Sequence, residues 1–340
     1  MKVVMIGGSG FMGHHVTRML VDRGDEVINF HRGETPSNAS TRIRDIKGNR
    51  SQLTSFRKEF QQIGPDVVID MIAMYESDAH GLMETFSGIA SRVVVISSSD
   101  VYRNYELVRG IGESAPDPKP LAENSPLRAN LFPYRSRAKN EDDKLYNYDK
   151  ILVERVAMND PNLPATVLRL PAVYGPGDRE HRLFHLIKRM DDRRPAILME
   201  TGMMNWRWTR GYVENVAAAI SWAAGDQNST SRIYNVGESR SLPEKDWIAE
   251  IADVVGWRGR VVPVEPSQLP KQMRSGLYWQ HRLETDTSLI RTQRGFSEPI
   301  SFRDGLSRTI EWERANPPEA KPGDFDYETE DRVLKALGVH

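Results

Sequence analysis

Tyr146 and Lys150 stand four residues apart, with the apolar run Ile151-Leu152-Val153 directly behind them. At helical pitch this spacing predicts both side chains on one face, a single turn apart. An ammonium beside a phenol favours the phenolate and draws a group of ordinary pKa ~10 towards neutrality. Such a tyrosine can exchange a proton with a substrate hydroxyl or carbonyl, provided that something else carries the hydride. A further hydroxyl is expected from the apolar run at residues 93–96, which ends in Ser97-Ser98-Ser99-Asp100-Val101-Tyr102. Parallel strands place their chemistry at such carboxyl ends.

The hydride carrier is implied by Gly7-Gly8-Ser9-Gly10-Phe11-Met12-Gly13, which closes the apolar run at residues 3–6 and opens a helical pattern. In that setting Gly7 permits the tight turn, Gly10 lets the backbone approach a pyrophosphate, and Gly13 lets helix pack on strand. The phosphates then meet the positive end of the helix. The motif therefore predicts a nicotinamide dinucleotide, whose ribose Lys150 can also bind. An acid at the end of the second strand would hold the ribose hydroxyls of NAD. That place has His31 followed by Arg32, and a guanidinium suits a 2′-phosphate. NADP is preferred over NAD.

Arg179, Arg182, Arg207 and Arg210 could present cations to a substrate phosphate or carboxylate, or form a solvated basic face. Trp206 and Trp208 alternate with them and could stack on a ring or fill the core. His14 and His15 have no partner at ligand spacing, so no metal site is expected.

The elements that must position these residues follow the same pattern. Strand-like runs at 3–6, 26–31, 67–69, 93–96 and 166–170 alternate with helical spacing, which implies right-handed crossovers and a parallel sheet. Helices are expected over 13–23, over 212–224, and from a capping box at Ser241 and Glu244 to Gly256. Another is expected from Ser301 and Asp304. Residues 103–144 hold charges and prolines without periodicity, and a loop of that length is expected to cover the site. The tail at 316–325 should be irregular. The expected fold is α/β: a Rossmann-type doubly wound parallel sheet over residues 1–175, also receiving parts of about 205–240. A smaller mixed α/β lobe for substrate occupies most of 176–340.

At 340 residues the chain can bury a full core. A formal net charge of -1 gives no electrostatic reason to expect nucleic acid or an anionic membrane. The absence of cysteine excludes disulfides and thiolate chemistry and fits a cytoplasmic location. The opening apolar run is too short for a signal peptide, and none approaches the ~20 residues of a membrane span.

Five segments together resemble the extended short-chain dehydrogenase/reductases, the NAD(P)-dependent epimerase/dehydratase group. They are the glycine loop, Ser98-Ser99-Asp100-Val101-Tyr102, Tyr146-x-x-x-Lys150 with Glu154, Arg169-Leu170-Pro171-Ala172-Val173-Tyr174-Gly175-Pro176, and Tyr234-Asn235-Val236-Gly237. The resemblance spans residues 1–315. It implies that Ser98 polarises the substrate oxygen, that Tyr146 is the general acid/base and that Lys150 is its partner. It also implies that Phe11 and Met12 line the pyrophosphate, Ile72 and Ala73 the adenosine side, and Pro171 the nicotinamide amide. A homodimer through the helix bearing Tyr146 is likewise implied.

Departures from the family concern the substrate end. Ala172 stands where the family's sugar-nucleotide enzymes commonly have Asn, and Asn49 stands where an acid often faces the adenine. Tyr212-Val213-Glu214-Asn215 replaces a His-Val-Asp-Asp-like segment. Ser99 and Asp100 replace the Asp-Glu pair of 4,6-dehydratases, which disfavours that reaction. The expected function is an oxidoreductase or epimerase acting on a secondary alcohol or carbonyl, of a sugar or sugar derivative. Its site residues are Ser98, Tyr146 and Lys150, with Ser99, Arg179 and Arg207 towards substrate. The alternative is a dinucleotide-binding sensor or scaffold of the same fold.

Overall fold

The apolar residues 3–6 become the inner part of β1 (Lys2–Ile6), fully buried because helices cover both faces of the sheet. The computed structural model describes residues 1–33, 42–226, 228, 231–293, 295–319 and 323–339. In chain order β1 is followed by α1 (Gly13–Asp22), β2 (Glu26–His31), β3 (Ile43–Lys47), α2 (Arg57–Ile63), β4 (Val67–Asp70), α3 (Glu76–Phe86) and β5 (Arg92–Ser98). Then come α4 (Asn104–Leu107), α5 (Lys150–Asn159), β6 (Ala165–Leu170), β7 (Ala172–Tyr174), α6 (Phe184–Asp191), β8 (Ala196–Glu200), β9 (Arg210–Tyr212) and α7 (Val213–Gly225). The remainder is β10 (Arg232–Asn235), α8 (Glu244–Val255), β11 (Arg260–Val264), α9 (Ser288–Arg291), α10 (Phe302–Ala315) and α11 (Tyr327–Ala336).

Seven strands form one parallel sheet in the order β10-β6-β5-β4-β1-β2-β3. Alternate residues of a strand face opposite ways. Val3 and Met5 therefore pack with Val16, Leu20 and Val216 on one side, while Val4 and Ile6 pack with Phe60, Leu82 and Val153 on the other. Each such side chain contributes roughly 1.5–3 kcal/mol by burial. The strand order reverses between β1 and β4, and the crevice outside the carboxyl ends at such a point is where open α/β sheets bind ligands. The glycine loop, the β4 exit at Ile72 and the β5 exit at Ser98 all lie along it.

The rest of the chain is mixed. β7 pairs with β9 and β8 with β11, both in parallel, and α6, α8 and α10 pack together beside them. α7 returns to pack on α1, and β10 completes the main sheet. Several sequence expectations are corrected in detail. β3 has only Ile46 buried, so its charged edge pattern carries no strand signal. α8 begins at Glu244 after Pro243, because the Ser241 hydroxyl is engaged with Thr209 Oγ1 at 2.8 Å and caps nothing. Ser301 does cap α10, accepting from the Asp304 amide at 3.2 Å. Part of the expected irregular tail, residues 320–322, lies outside the described residues. Among the described residues no helix is long and apolar enough to cross a membrane.

Candidate active site

Gly7 has φ of +86°, a backbone conformation that L side chains rarely adopt. A Cβ on Gly13 would fall 2.6 Å from the Gly7 carbonyl oxygen and 2.7 Å from Gly8 backbone, so α1 packs on the loop only through glycine. Gly10 is different in kind: a Cβ there would meet nothing nearer than the Gly7 oxygen at 3.8 Å. The fold itself does not need glycine at position 10, and its absence of a side chain leaves the loop backbone open to the crevice. A groove of about 760 Å³ opens here, lined by Gly7, Gly10, Arg32, Asn49, Ile72 and Arg179 among others. With Gly7, Ser9 and Gly10 of the glycine loop in its wall, the groove fits a dinucleotide.

Ile72 is 42% exposed, an apolar side chain offered to the groove. His31 is pinned between Asp45, 3.1 Å from its Nε2, and the Gly33 amide, which donates to its Nδ1 at 3.1 Å. That fixes the strand end from which Arg32 enters the groove. Asn49 Oδ1 accepts from Ser51 N at 3.1 Å and Ser51 Oγ at 3.0 Å, capping a short 3-10 turn. Below the groove, Asp70 is fully buried with Arg50 Nη2 2.5 Å from its Oδ2. Burial pushes the Asp70 carboxyl up and the Arg50 guanidinium opposes the shift.

The tyrosine and lysine are arranged differently from the expectation. α5 starts at Lys150 because Asp149 is its N-cap, accepting from the Ile151 amide at 2.9 Å. The Asp149 carboxylate is held in turn by Arg128 Nη2 at 3.2 Å and the Phe132 amide at 2.6 Å. Residues before the cap are not helical, so Tyr146 and Lys150 do not share a helix face. Tyr146 is half-buried outside the cluster, its hydroxyl on Glu141 at 3.1 Å and its ring under Arg135. Lys150 is buried and donates to the carbonyls of Ala73 at 2.5 Å and Ile96 at 2.8 Å, tying β4 to β5.

The tyrosine that meets Ser98 is Tyr148. The Ser98 side chain is close enough to favour the charged form of its hydroxyl slightly, and that hydroxyl donates to Asp100 Oδ2 at 2.9 Å. Tyr134, from the long segment after β5, donates to the same oxygen at 2.9 Å. Ser98 Oγ also accepts from the Asp100 amide at 3.1 Å, which shapes the turn. Burial, and then the Asp100 charge, push the Tyr148 phenol well above its ordinary value, opposite to the phenolate expected beside a lysine. Asp100 Oδ1 is buried with no hydrogen-bond partner. Arg128 Nε donates to the Asp100 carbonyl at 2.6 Å, so the 103–144 segment folds over the end of β5. The sequence signal for this arrangement is Asp149, a preferred N-cap residue directly before Lys150-Ile151.

Ser99 turns away from Ser98 and pairs with the Tyr105 hydroxyl at 2.9 Å. Arg179 lines the glycine-loop groove and not the C-terminal lobe, because the turn after β7 brings Gly177 against Phe11. Arg207 is spent on the Ser241 carbonyl. Pro171 is clamped by Gly211 and Gly237, where a Cβ would lie 3.1 and 3.3 Å from its Cγ. Trp206, itself buried, and Trp208 both line a cavity. Among the described residues no group of three or more His, Asp or Glu could hold a metal ion.

The sequence profile of the NAD dependent epimerase/dehydratase family matches residues 3–237. The chloroplast stem-loop binding protein of 41 kDa b from Arabidopsis thaliana is 23% identical over 69% of this chain, which spans 58% of that protein. The 2'-dehydrokanamycin reductase of Streptomyces kanamyceticus is 23% identical over 80% of this chain and 70% of its own length. Among solved structures, the Thermus thermophilus UDP-glucose 4-epimerase in complex with NAD superposes with a TM-score of 0.65 at 19% identity. That superposition covers 93% of this chain and all of the epimerase chain.

Proposed function

The chain belongs to the NAD dependent epimerase/dehydratase family, and from that premise we propose an NAD(P)-dependent oxidoreductase or epimerase acting on a secondary alcohol or carbonyl of a sugar or sugar derivative. The observation that carries this reading is Tyr148, whose hydroxyl donates to Asp100 in the turn that Ser98 caps at the carboxyl end of β5. A bound nicotinamide supplies the hydride acceptor or donor. Ser98 and Tyr148 hold the reacting oxygen. In the oxidising direction the substrate hydroxyl gives its proton to Tyr148 as the phenol's own proton passes to Asp100. Reduction runs the same relay backwards, and Asp100 avoids the cost of a free phenolate in a buried site. Lys150 fixes the spacing of β4 and β5, and Ala73 and Pro171 flank the expected cofactor path.

NADP is the preferred cofactor in this reading because Arg32 enters the groove at the end of β2, where no acid stands. Arg32→Ala should weaken NADP by about ten- to a hundredfold, the loss of a charged hydrogen bond, and leave NAD unchanged. Isothermal titration with both dinucleotides measures this, and a clear NAD preference in the unaltered protein refutes it. The stem-loop binding in one relative's name is not carried over, because a net charge of -1 gives little to hold a polyanion. The test of the reaction is nicotinamide absorbance during incubation with secondary alcohols and ketones. Turnover should depend on Ser98 and Tyr148. Turnover that survives Tyr148→Phe would sink the assignment.

A further inference from the structure

A second cavity, of about 640 Å³, lies in the C-terminal part of the chain and has Ala172 and Tyr174 of β7 in its wall. β7 follows Pro171 directly, so this cavity and the end of β6 adjoin. Four tryptophans line it: Trp206, Trp208, Trp247 and Trp279. Three of their indole N–H groups are used within the protein. Trp206 donates to the His281 carbonyl at 2.9 Å, Trp208 to the Tyr105 hydroxyl at 3.1 Å, and Trp279 to Glu200 Oε2 at 2.6 Å. Those indoles therefore offer the cavity their ring surfaces and not their donors.

Three of the four arginines of the wall are paired with carboxylates. Arg210 donates to both carboxylate oxygens of Glu244 at 2.8 and 3.0 Å and lies over the Trp247 ring. Arg189 donates twice to Glu330 at 3.0 and 2.6 Å, and Arg182 reaches Asp178 at 2.5 Å. Arg274 stands exposed at the rim, its Nε on the Leu269 carbonyl at 2.8 Å. Binding a diphosphate takes guanidinium or ammonium groups free to face it. Drawing Arg210 or Arg189 onto phosphate would strip a buried glutamate of its partner. Inside its rim, where Arg274 is held by backbone carbonyls, the cavity is thus a set of aromatic faces between neutralised ion pairs, a surface suited to an uncharged ring.

We propose that this cavity takes an uncharged, ring-bearing substrate in place of a nucleoside diphosphate sugar, a proposal that rests on the reading of Ser98 and Tyr148 as the reaction centre. The link between the two is the chain Ser99 Oγ, Tyr105 hydroxyl, Trp208 Nε1, with spacings of 2.9 and 3.1 Å. It fixes the Trp208 ring relative to the strand end that carries Ser98. A ring stacked on Trp208 is thereby positioned by the same backbone that presents the serine.

The test uses the whole protein with NADP present and follows tryptophan emission during titration with phenyl β-D-glucopyranoside, UDP-glucose and UDP. Saturable quenching by the neutral glucoside is expected, with UDP-glucose and UDP at least about tenfold weaker. Trp208→Leu should weaken the glucoside by about tenfold, and Trp208→Phe should restore most of it by keeping an aromatic face. If Trp208→Leu does not fold, as judged by circular dichroism, Trp279→Leu replaces it with the same expected loss. Tighter binding of UDP-glucose or UDP than of the glucoside overturns the proposal. So does a glucoside that shows no saturation, or one indifferent to loss of the indole. Tyr148→Phe separates the two readings: glucoside binding that persists while turnover is lost supports both. Binding and turnover that both persist remove the reaction centre and leave the substrate class standing.

Discussion

Tyr148 and Asp100 are joined by a 2.9 Å hydrogen bond in which the phenol donates to Oδ2, and Tyr134 donates to that same oxygen. A phenol held this way keeps its proton, because burial and the neighbouring carboxylate both disfavour its charged form.

Tyr148 and Tyr146 should differ sharply in what they contribute to turnover. Tyr148→Phe should lower kcat by about 10²–10⁴, the usual worth of a positioned acid/base. Tyr146→Phe removes only a bond to Glu141 on the outer turn and should leave kcat within about twofold. The reverse ranking in steady-state kinetics would restore the helix-face arrangement.

Glycine substitutions should separate folding from cofactor binding. Gly13→Ala drives a methyl into loop backbone at 2.6 Å and should lower Tm or prevent folding. Gly10→Ala has room within the fold and should keep Tm, while weakening dinucleotide affinity by about tenfold or more. A thermal melt and a dinucleotide titration on each variant check the pair. Equal loss of stability in both would contradict the distinction.

Glu154 is a matter of stability. Its carboxylate takes Arg169 Nε at 2.9 Å and Nη2 at 2.7 Å, with Ser97 Oγ at 2.5 Å. Glu154→Ala leaves a buried guanidinium without its partner and should cost about 3–5 kcal/mol in urea unfolding. A cost under about 1 kcal/mol, the size of an exposed pair, would mean that the site rehydrates.

A pH dependence follows from Glu238, which accepts the Tyr174 hydroxyl at 2.6 Å. Burial pushes its carboxyl up to about 7 from an ordinary 4.5. The folded state then binds the proton more tightly than the unfolded one, so stability is full below about pH 4.5 and falls as pH rises through 7. Tm measured from pH 5 to 8 should decline across that window from this group. Glu238→Gln, neutral throughout, should flatten the decline, and an unchanged slope would exclude it as the source.

The sheet was legible because parallel strands covered on both faces read as continuous apolar runs, as at residues 3–6 and 93–96. β3 was not, because an edge strand with one buried residue has no such run. The glycine loop was legible residue by residue, since Gly7 and Gly13 answer to local backbone geometry. Ser98 was fixed by its strand end. Tyr146 misled because its spacing from Lys150 has meaning only if the helix includes both, and Asp149 starts it later. The partners of Asp149 and Asp100 come from Arg128 and Tyr134, more than 20 residues away in the chain. Spacing within a motif carries no trace of them.

Arg128 donates from its Nε to the Asp100 carbonyl, from Nη1 to Asn130 and from Nη2 to Asp149, with its side chain wholly enclosed. One residue of the long excursion therefore sets both the turn that carries Asp100 and the cap that aims Tyr148. Asp100 and Tyr148, the two groups of the proposed centre, thus both lean on a third piece of chain. Loss of that one seat should loosen the turn and the cap together while the apolar packing of the sheet, set by other residues, stays in place.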